Sequence, residues 1–461
     1  MNKSKKECVL IGAGIVNLIT AYYLNKSGVK VMVKDRSSDP LTNVSERQGA
    51  TFGGENARMF TFTEADNYNE KSHDIYRNMS DIIQNTIYND GWRVVNEMRN
   101  TETEWLYYFQ GVSPSDAVKF SDDIYDINIK SGMMWSEMMY EEPDLFESSN
   151  VRKDIVRIYS DRKDFVAAKK LHQKIGSFIK ELDFDSLIDD YGYLKTAINQ
   201  NHLGGAMICN GFTLQIHDFC VNLIKLLEER GVEFQWLQEF QGFEKSDCGK
   251  ITGLKINEKV TRPKYSVLSL GAYSGDLYNQ MDSENKVHGI LGIWLSVPNV
   301  YGVKNSLKIH KDGHVGEDTN VTVVEESNAK RLVFGSGYGY VGSVKYDECT
   351  IDDLKPLYDS LLETVKIYFP EAYELAHLDG SLYEGWKYCI RPFTPTGLGI
   401  YEVQDTEDGG IVILTGGHNT GGFTQAPLIA KSVLDTLNNE STSMERTFHP
   451  IRGISSIVES V

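Results

Sequence analysis

Near its start the chain carries a pattern that few folds accommodate: "ECVLIGAGIVNLITAYYLNKSGVKVMVKDR", residues 7–36. Apolar residues run into Gly12-Ala13-Gly14, a stretch of helical period follows, and a second apolar run ends on Asp35. The spacing predicts a buried strand over 7–12 and a helix over 14–27, with Ile15, Leu18, Ile19, Tyr22 and Leu24 on one side. Gly28 ends the helix, and 29–34 read as a second strand. That is a βαβ unit, whose parallel strands are expected to carry helices on both faces.

The turn between strand and helix predicts a ligand. Gly12 permits a tight turn, and Gly14 lets a pyrophosphate approach the backbone. The anion then rests on the amino end of the helix over 14–27, where unpaired amides and the helix dipole favour negative charge. Asp35, with Arg36 beside it, is placed to accept from ribose hydroxyls, and its carboxylate disfavours the 2′-phosphate of NADP. The third glycine of the usual pattern is Asn17, which implies either a wider helix–strand approach or a local polar contact. NAD and FAD both satisfy this segment.

Charge and composition remove other classes. Lys and Arg number 47 against 65 Asp and Glu, a net charge of −18, so the basic footprint of a nucleic-acid binder is missing. Adhesion to anionic lipid is disfavoured for the same reason. Cys8, Cys209, Cys220, Cys248, Cys349 and Cys389 form no CxxC pair, so neither a zinc site nor a disulfide framework is expected. No apolar run is long enough to span a membrane, and the first residues lack signal-peptide architecture. A reducing, cytoplasmic setting is the expectation. At 461 residues the chain calls for two or three lobes.

Along the chain the patterns change. Segment 66–110 has helical periodicity in "HDIYRNMSDIIQNTI", and 161–182 reads as a second helix. A further helix, "HDFCVNLIKLLEERG", carries Phe219, Leu223, Leu226 and Leu227 at core spacing and stops at Gly231. Strands with a polar hairpin at 246–250 follow, then a buried strand at the start of 265–274. Residues 290–345 alternate as antiparallel strands, and 410–437 form another strand, glycine loop and helix.

Four segments carry a family resemblance: "ERQGATFGGENARMF" (46–60), "GFTLQIHDFCVNLIKLLEERGVEF" with "VLSLGAYS", "WKYCIRPFTPTGLGIY" (386–401) and "TGGHNTGGFTQAPLIAKSV" (415–433). Together they resemble the D-amino-acid oxidase and dehydrogenase superfamily of flavoproteins, which includes glycine oxidase and sarcosine oxidase. The resemblance covers 7–60, 210–275 and 385–437. It departs at Asn17, at Leu270-Gly271 and at Thr396, where an Asp is usual.

The resemblance implies an α/β fold: a Rossmann-like FAD-binding domain assembled from 1–65, 206–276 and 381–461. An inserted α+β substrate domain, 66–205 and 277–380, would contain an antiparallel sheet. The implied cofactor is FAD, touched by Gly12, Gly14, Ile15, Asp35, Arg36, Gly53, Gly54, Asn56, Ala57, Phe240, Gly271, Ala272, Cys389, Arg391, Asn419, Gly421, Gly422 and Phe423. Arg391 is implied to bridge a substrate carboxylate, with Trp386 and Tyr388 as apolar walls. Arg58 either lies over the flavin or has no role. His418 is implied at the flavin edge, grouped with Arg391 and Arg58 as the chemistry-bearing set. Cys389 falls where some members attach FAD covalently, and it also suits a buried core position. Tyr338 and Tyr340 either line the pocket or pack ordinarily.

The expected reaction is oxidation of an amine-bearing carbon to an imine by hydride transfer to flavin N5, with an amino acid or related amine as substrate. The acceptor for the electrons is O2 or another molecule, and the sequence leaves the oligomeric state open. Two alternatives remain. One is a flavin-dependent amine monooxygenase, although no second GxGxxG for NADPH is present. The other is a non-catalytic FAD-binding or electron-transfer protein.

Overall fold

The computed structural model describes residues 6–42, 58–65, 99–272, 277, 280, 286–311, 318–326, 329–342, 352–384, 386–449 and 451–452. The opening pattern folds as read: β1 (Glu7–Ile11), α1 (Ile15–Lys26) and β2 (Lys30–Lys34), with β1 and β2 paired in parallel. α1 is buried nearly all round, with Val16, Asn17, Thr20 and Ala21 covered as well as the expected apolar side. A helix buried on every side lies in a core layer, and this one sits between the sheet and other helices.

β1 is central in a six-stranded sheet. Across that sheet the order is Ile400–Asp405, Ile411–Gly416, Tyr265–Leu268, β1, β2 and Glu233–Gln235. All neighbours are parallel except the first pair. One face packs on α1 and on helices Pro114–Glu141, Ile216–Glu229 and Gly422–Leu437. The other face differs from expectation. Val9, Ile11, Leu268, Val412 and Leu414 pack there against Phe240, Phe243, Ile251, Leu254 and Ile256. These come from a three-stranded antiparallel sheet, Phe240–Lys245, Ile251–Ile256 and Lys259–Thr261. Alternating apolar side chains of this small sheet bury the second face, so no helix is needed there.

A second large sheet of nine strands forms the other half of the described chain. Its order runs Lys387–Phe393, His288–Pro298, Ala329–Gly342, Asp318–Glu326, Ser306–His310, Arg152–Tyr159, Gly205–Thr213 and Met59–Thr61, with Phe178–Leu182 also on Gly205–Thr213. Strands Met59–Thr61, Gly205–Thr213 and Lys387–Phe393, expected with the dinucleotide segments, therefore belong to this sheet. Helix Pro114–Glu141, expected with the inserted domain, packs beside α1 instead. One face of the nine-stranded sheet is closed by helices Lys355–Tyr368 and Pro370–Leu378.

Segment 161–182 is not one helix. Asp161 caps helix Arg162–Lys174 by accepting from the amides of Lys163 at 2.6 Å and Asp164 at 3.2 Å. Gly176, with φ +74°, then turns the chain into strand Phe178–Leu182. The left-handed backbone at glycine breaks a pattern that side-chain period alone carries through. Segment 73–87 lies outside the described residues.

Trp135 ties the helical layer together. It is fully buried, meets Phe146, Phe212, Phe219 and Phe423 at ring distances of 4.9–6.1 Å, and donates from Nε1 to the Thr424 carbonyl at 3.2 Å. We expect Trp135→Ala to lower unfolding free energy by about 3–5 kcal/mol, read in a denaturant titration. A loss under about 1 kcal/mol would mean that the cluster does not hold these helices.

Candidate active site

The turn after β1 is fixed by sterics. Gly12 has φ +98°, and a Cβ built there would lie 2.3 Å from the Ser269 carbonyl oxygen. Its amide donates to the Lys34 carbonyl at 2.8 Å, which joins the ends of β1 and β2. Asn17, fully buried, donates from Nδ2 to the carbonyls of Ile11 at 2.8 Å and Gly12 at 2.9 Å. Of the two consequences expected for Asn17, the local polar contact is the one present.

Asp35 accepts from the Ala13 amide on Oδ2 at 2.6 Å, and from the Ser37 amide and hydroxyl on Oδ1 at 2.8 and 2.6 Å. The carboxylate thus holds the glycine turn and its own loop. Each oxygen has two lone pairs, so Oδ2 keeps acceptor capacity. Arg36 is exposed, and Ile15 is buried as the first residue of α1.

Space for a ligand opens where these elements end. A Cβ on Gly14 or on Gly271 would meet nothing within 4 Å, and Gly271 has φ +67°. Both follow the carboxyl ends of adjacent parallel strands, β1 and Tyr265–Leu268. That is the crevice where open α/β sheets receive dinucleotides, and it lies at the amino end of α1. Ala272 packs on the core of the nine-stranded sheet. Phe240 is 6% exposed, in the core between the small sheet and β1. Gly53, Gly54, Asn56 and Ala57 lie outside the described residues. Arg58 is buried, and its carbonyl accepts from the Leu214 amide at 3.0 Å.

The second glycine loop is locked to the "RPFTP" segment. Phe393 and His418 form an antiparallel bridge, and the Asn419 amide donates to the Pro392 carbonyl at 2.9 Å. Asn419, at φ +52°, accepts on Oδ1 from the Thr394 amide at 3.2 Å and donates from Nδ2 to the Gly397 carbonyl. Thr396 is fully buried and accepts from the Leu398 amide at 3.3 Å, so a local turn contact occupies the position where the resemblance implies an Asp. Gly421 has no room for a side chain, since a Cβ would lie 2.7 Å from the Ala65 Cβ. Gly422 begins helix Gly422–Leu437, and Phe423 packs on Trp135 in the core.

His418 is buried and contacts Thr415 Oγ1 through Nε2 at 2.8 Å; its Nδ1 is buried without a partner. Burial pulls its pKa down to about 3, so the ring is neutral at physiological pH. This geometry joins strand Ile411–Gly416 to the loop and does not suit a proton acceptor working near pH 7. His288 is a second neutral histidine, lowered to about 4 mainly by burial. It stacks on Trp105 at 5.6 Å and meets the Tyr340 hydroxyl at 2.9 Å.

Strand alternation sorts the residues around Arg391. Trp386, Tyr388 and Ile390 pack on the helix-covered face of the nine-stranded sheet. Arg391 and Cys389 lie on the opposite face. The expected walls therefore lie away from Arg391: Tyr388 differs from it in strand parity, and Trp386 packs on the helix-covered core. Its neighbour is Tyr338, whose ring centroid is 4.8 Å from the guanidinium carbon. Nη2 donates to the carbonyls of Gly337 and, at 3.3 Å, Leu291. Nε is buried without a partner. Cys389 is 8% exposed, clustered with Trp294, Val324 and Val333.

The same face carries buried charges that sequence reasoning missed. Lys308 and Glu64 form an ion pair at 3.2 Å with 6% and 8% exposure, and Thr61 donates to Glu64 at 3.1 Å. Arg157, next to Lys308 in register, donates to Thr63 at 2.5 Å. No sequence spacing joins these residues; only the sheet brings them together.

A family profile described as FAD dependent oxidoreductase matches residues 7–436. The chain belongs to that family. Solved structures share its fold at low identity. Glycine oxidase from Bacillus cereus ATCC 14579 aligns with TM-score 0.61 and 14% identity over 95% of this chain and 97% of its own. L-proline dehydrogenase from P. horikoshii gives 0.62 and 14% over 98% of each. An Amadoriase I mutant from Aspergillus fumigatus gives 0.61 and 12% over 100% and 92%. The protein is thus an FAD-dependent oxidoreductase, and the open cradle above Gly14 and Gly271 fits the dinucleotide. Among the described residues, no helix is long and apolar enough to cross a membrane, and no cluster of side chains could hold a metal.

Two outcomes follow. Gly12→Ala should abolish FAD uptake by the apoprotein, measured by quenching of flavin fluorescence, since a side chain collides with the Ser269 carbonyl. Unfolding free energy should fall as pH drops from about 6.5 toward 4, because the unfolded chain protonates His418 and His288 while the folded one does not. Each contributes a slope of about 1.4 kcal/mol per pH unit there, and His418→Gln should remove one share. An unchanged slope would mean that His418 titrates freely.

Proposed function

We propose that this oxidoreductase oxidises the C–N bond of an amino acid or related carboxylated amine to an imine. The observation that carries the reading is the state of Arg391. Its guanidinium is half-buried on an aromatic face, two backbone carbonyls orient it, and Nε has no acceptor. Among the described residues its contacts are with backbone carbonyls and the rings of Tyr338 and Phe393, not with a carboxylate. A shielded cation without an anion favours binding one, and the planar fork suits a carboxylate.

Each named residue then has a task. Arg391 anchors the substrate carboxylate, so that the carbon bearing nitrogen is held in one orientation. Tyr338 fixes the guanidinium plane by stacking beneath it. Asn419 and Thr394 hold the glycine loop against Pro392, keeping the amino end of helix Gly422–Leu437 in place. Its unpaired amides and dipole stabilise negative charge that develops above them. Gly12, Gly14, Asp35 and Gly271 would hold the dinucleotide. FAD, when bound, would supply a two-electron acceptor for hydride. His418 stays neutral and positions the loop. The substrate amine must arrive without its extra proton, and electrons leave to O2 or another acceptor. The glycine oxidase and L-proline dehydrogenase among the similar structures are compatible with this substrate class.

The test is anaerobic mixing of the purified yellow protein with a panel of amino acids and amines. Bleaching of the flavin spectrum by carboxylated amines, and not by their decarboxylated analogues, is the expected result. Arg391→Met should raise KM for that substrate by about 100-fold or more, with a smaller change in kcat. Absence of bleaching by any amine would remove the reading, and unchanged KM would remove Arg391 from it.

A further inference from the structure

We propose that Asn17 is a positioning residue that builds the phosphate turn before the cofactor arrives. At this place in the pattern a glycine normally lets helix and strand approach closely. Here the third residue of α1 instead reaches back to the strand it follows. Its Nδ2 holds two successive carbonyls, Ile11 at 2.8 Å and Gly12 at 2.9 Å, in a fully buried setting. The amide orientation is fixed by chemistry, since both partners are acceptors and only the nitrogen end can donate to them.

With those two bonds the turn is secured almost group by group. The Ile11 carbonyl also accepts from the Ser269 amide at 3.0 Å, and the Gly12 amide donates to Lys34 at 2.8 Å. The Ala13 amide donates to Asp35 at 2.6 Å, and the Gly14 carbonyl accepts from Leu18 at 3.0 Å. Asn17 is the only donor to the Gly12 carbonyl among the described residues. Among the described residues the amides of Gly14, Ile15, Val16 and Asn17, the first turn of α1, have no acceptor, and open space lies over Gly14. Those are the groups that receive an anion at a helix start.

Asn17 has one further trait that a packing role does not explain. Its Oδ1 is buried with no donor, a defect that glycine or alanine would not carry. The clamp on Ile11 and Gly12 is what the side chain provides in return. A turn held by the protein itself need not be ordered by the ligand, so binding loses less conformational entropy. The inference concerns FAD affinity alone and stands apart from the choice of substrate.

The experiment uses the full-length apoprotein and FAD. Hydrogen exchange of the Gly12 and Ala13 amides is measured without cofactor, and FAD affinity by quenching of flavin fluorescence. In the wild type both amides should be protected before FAD is added. In Asn17→Gly and Asn17→Ala they should exchange faster, and Kd for FAD should rise by about tenfold, as expected for two lost hydrogen bonds. Asn17→Ser, which keeps one donor, should fall between. Amides of strand Ile411–Gly416 in the same sheet should exchange as in the wild type. Unchanged Kd and unchanged exchange at Gly12 and Ala13 would overturn the proposal. So would equal acceleration in Ile411–Gly416, which is general destabilisation. If the variants do not fold, the wild type alone decides: amides at Gly12 and Ala13 that become protected only with FAD refute a prebuilt turn.

Discussion

The Ser269 carbonyl fills the space where residue 12 would carry a Cβ. That close approach brings the end of strand Tyr265–Leu268 against the glycine turn of β1, and the register Ile11 to Leu268 places the two strand ends side by side. Around it the backbone has little freedom. Gly12 must take a left-handed φ, its amide must find Lys34, and Ala13 must find Asp35. The crevice over Gly14 and Gly271 exists because neither residue fills it. A dinucleotide site here would be the product of excluded side chains and aimed amides, and would rest on few residue types.

The second sheet works by parity. One face is an apolar core under helices, where Val156, Leu291, Leu307, Val321 and Phe334 are buried. The alternate residues of the same strands carry Arg157, Lys308, Arg391 and Trp294. Burying charge is costly unless each ion has a partner, and here the partners are Glu64, Thr63 and backbone carbonyls. Segment 58–65, which brings Thr61, Thr63 and Glu64, is itself tied to the glycine loop by the Ala65 amide donating to Thr420 at 3.0 Å. The polar face and the dinucleotide half are thereby one structure.

Much of this was readable in the sequence because local chemistry dictated it. A strand, glycine turn, helix and acid in register leave little choice, and the second glycine loop likewise leads from a buried strand to an apolar helix. The departures were informative. Asn17 left a wider approach or a polar contact open, and its buried amide nitrogen meets the carbonyls of Ile11 and Gly12. Segment 161–182 misled because a period-based reading sees no stop at Gly176, whose positive φ is a backbone property. Trp386 and Tyr388 misled because nearness along a strand is not nearness on a face.

The sequence by itself determined the βαβ start and the glycine turns of a dinucleotide site. Those follow from steric permissions and periodicities within a few neighbouring residues. The tertiary structure alone decided that an antiparallel sheet covers the back of β1 and that Tyr338 lies beneath Arg391. It also decided that Lys308 meets Glu64. Such pairings depend on register and on which face a strand turns inward, and those are settled only when distant strands compete for the same buried surface.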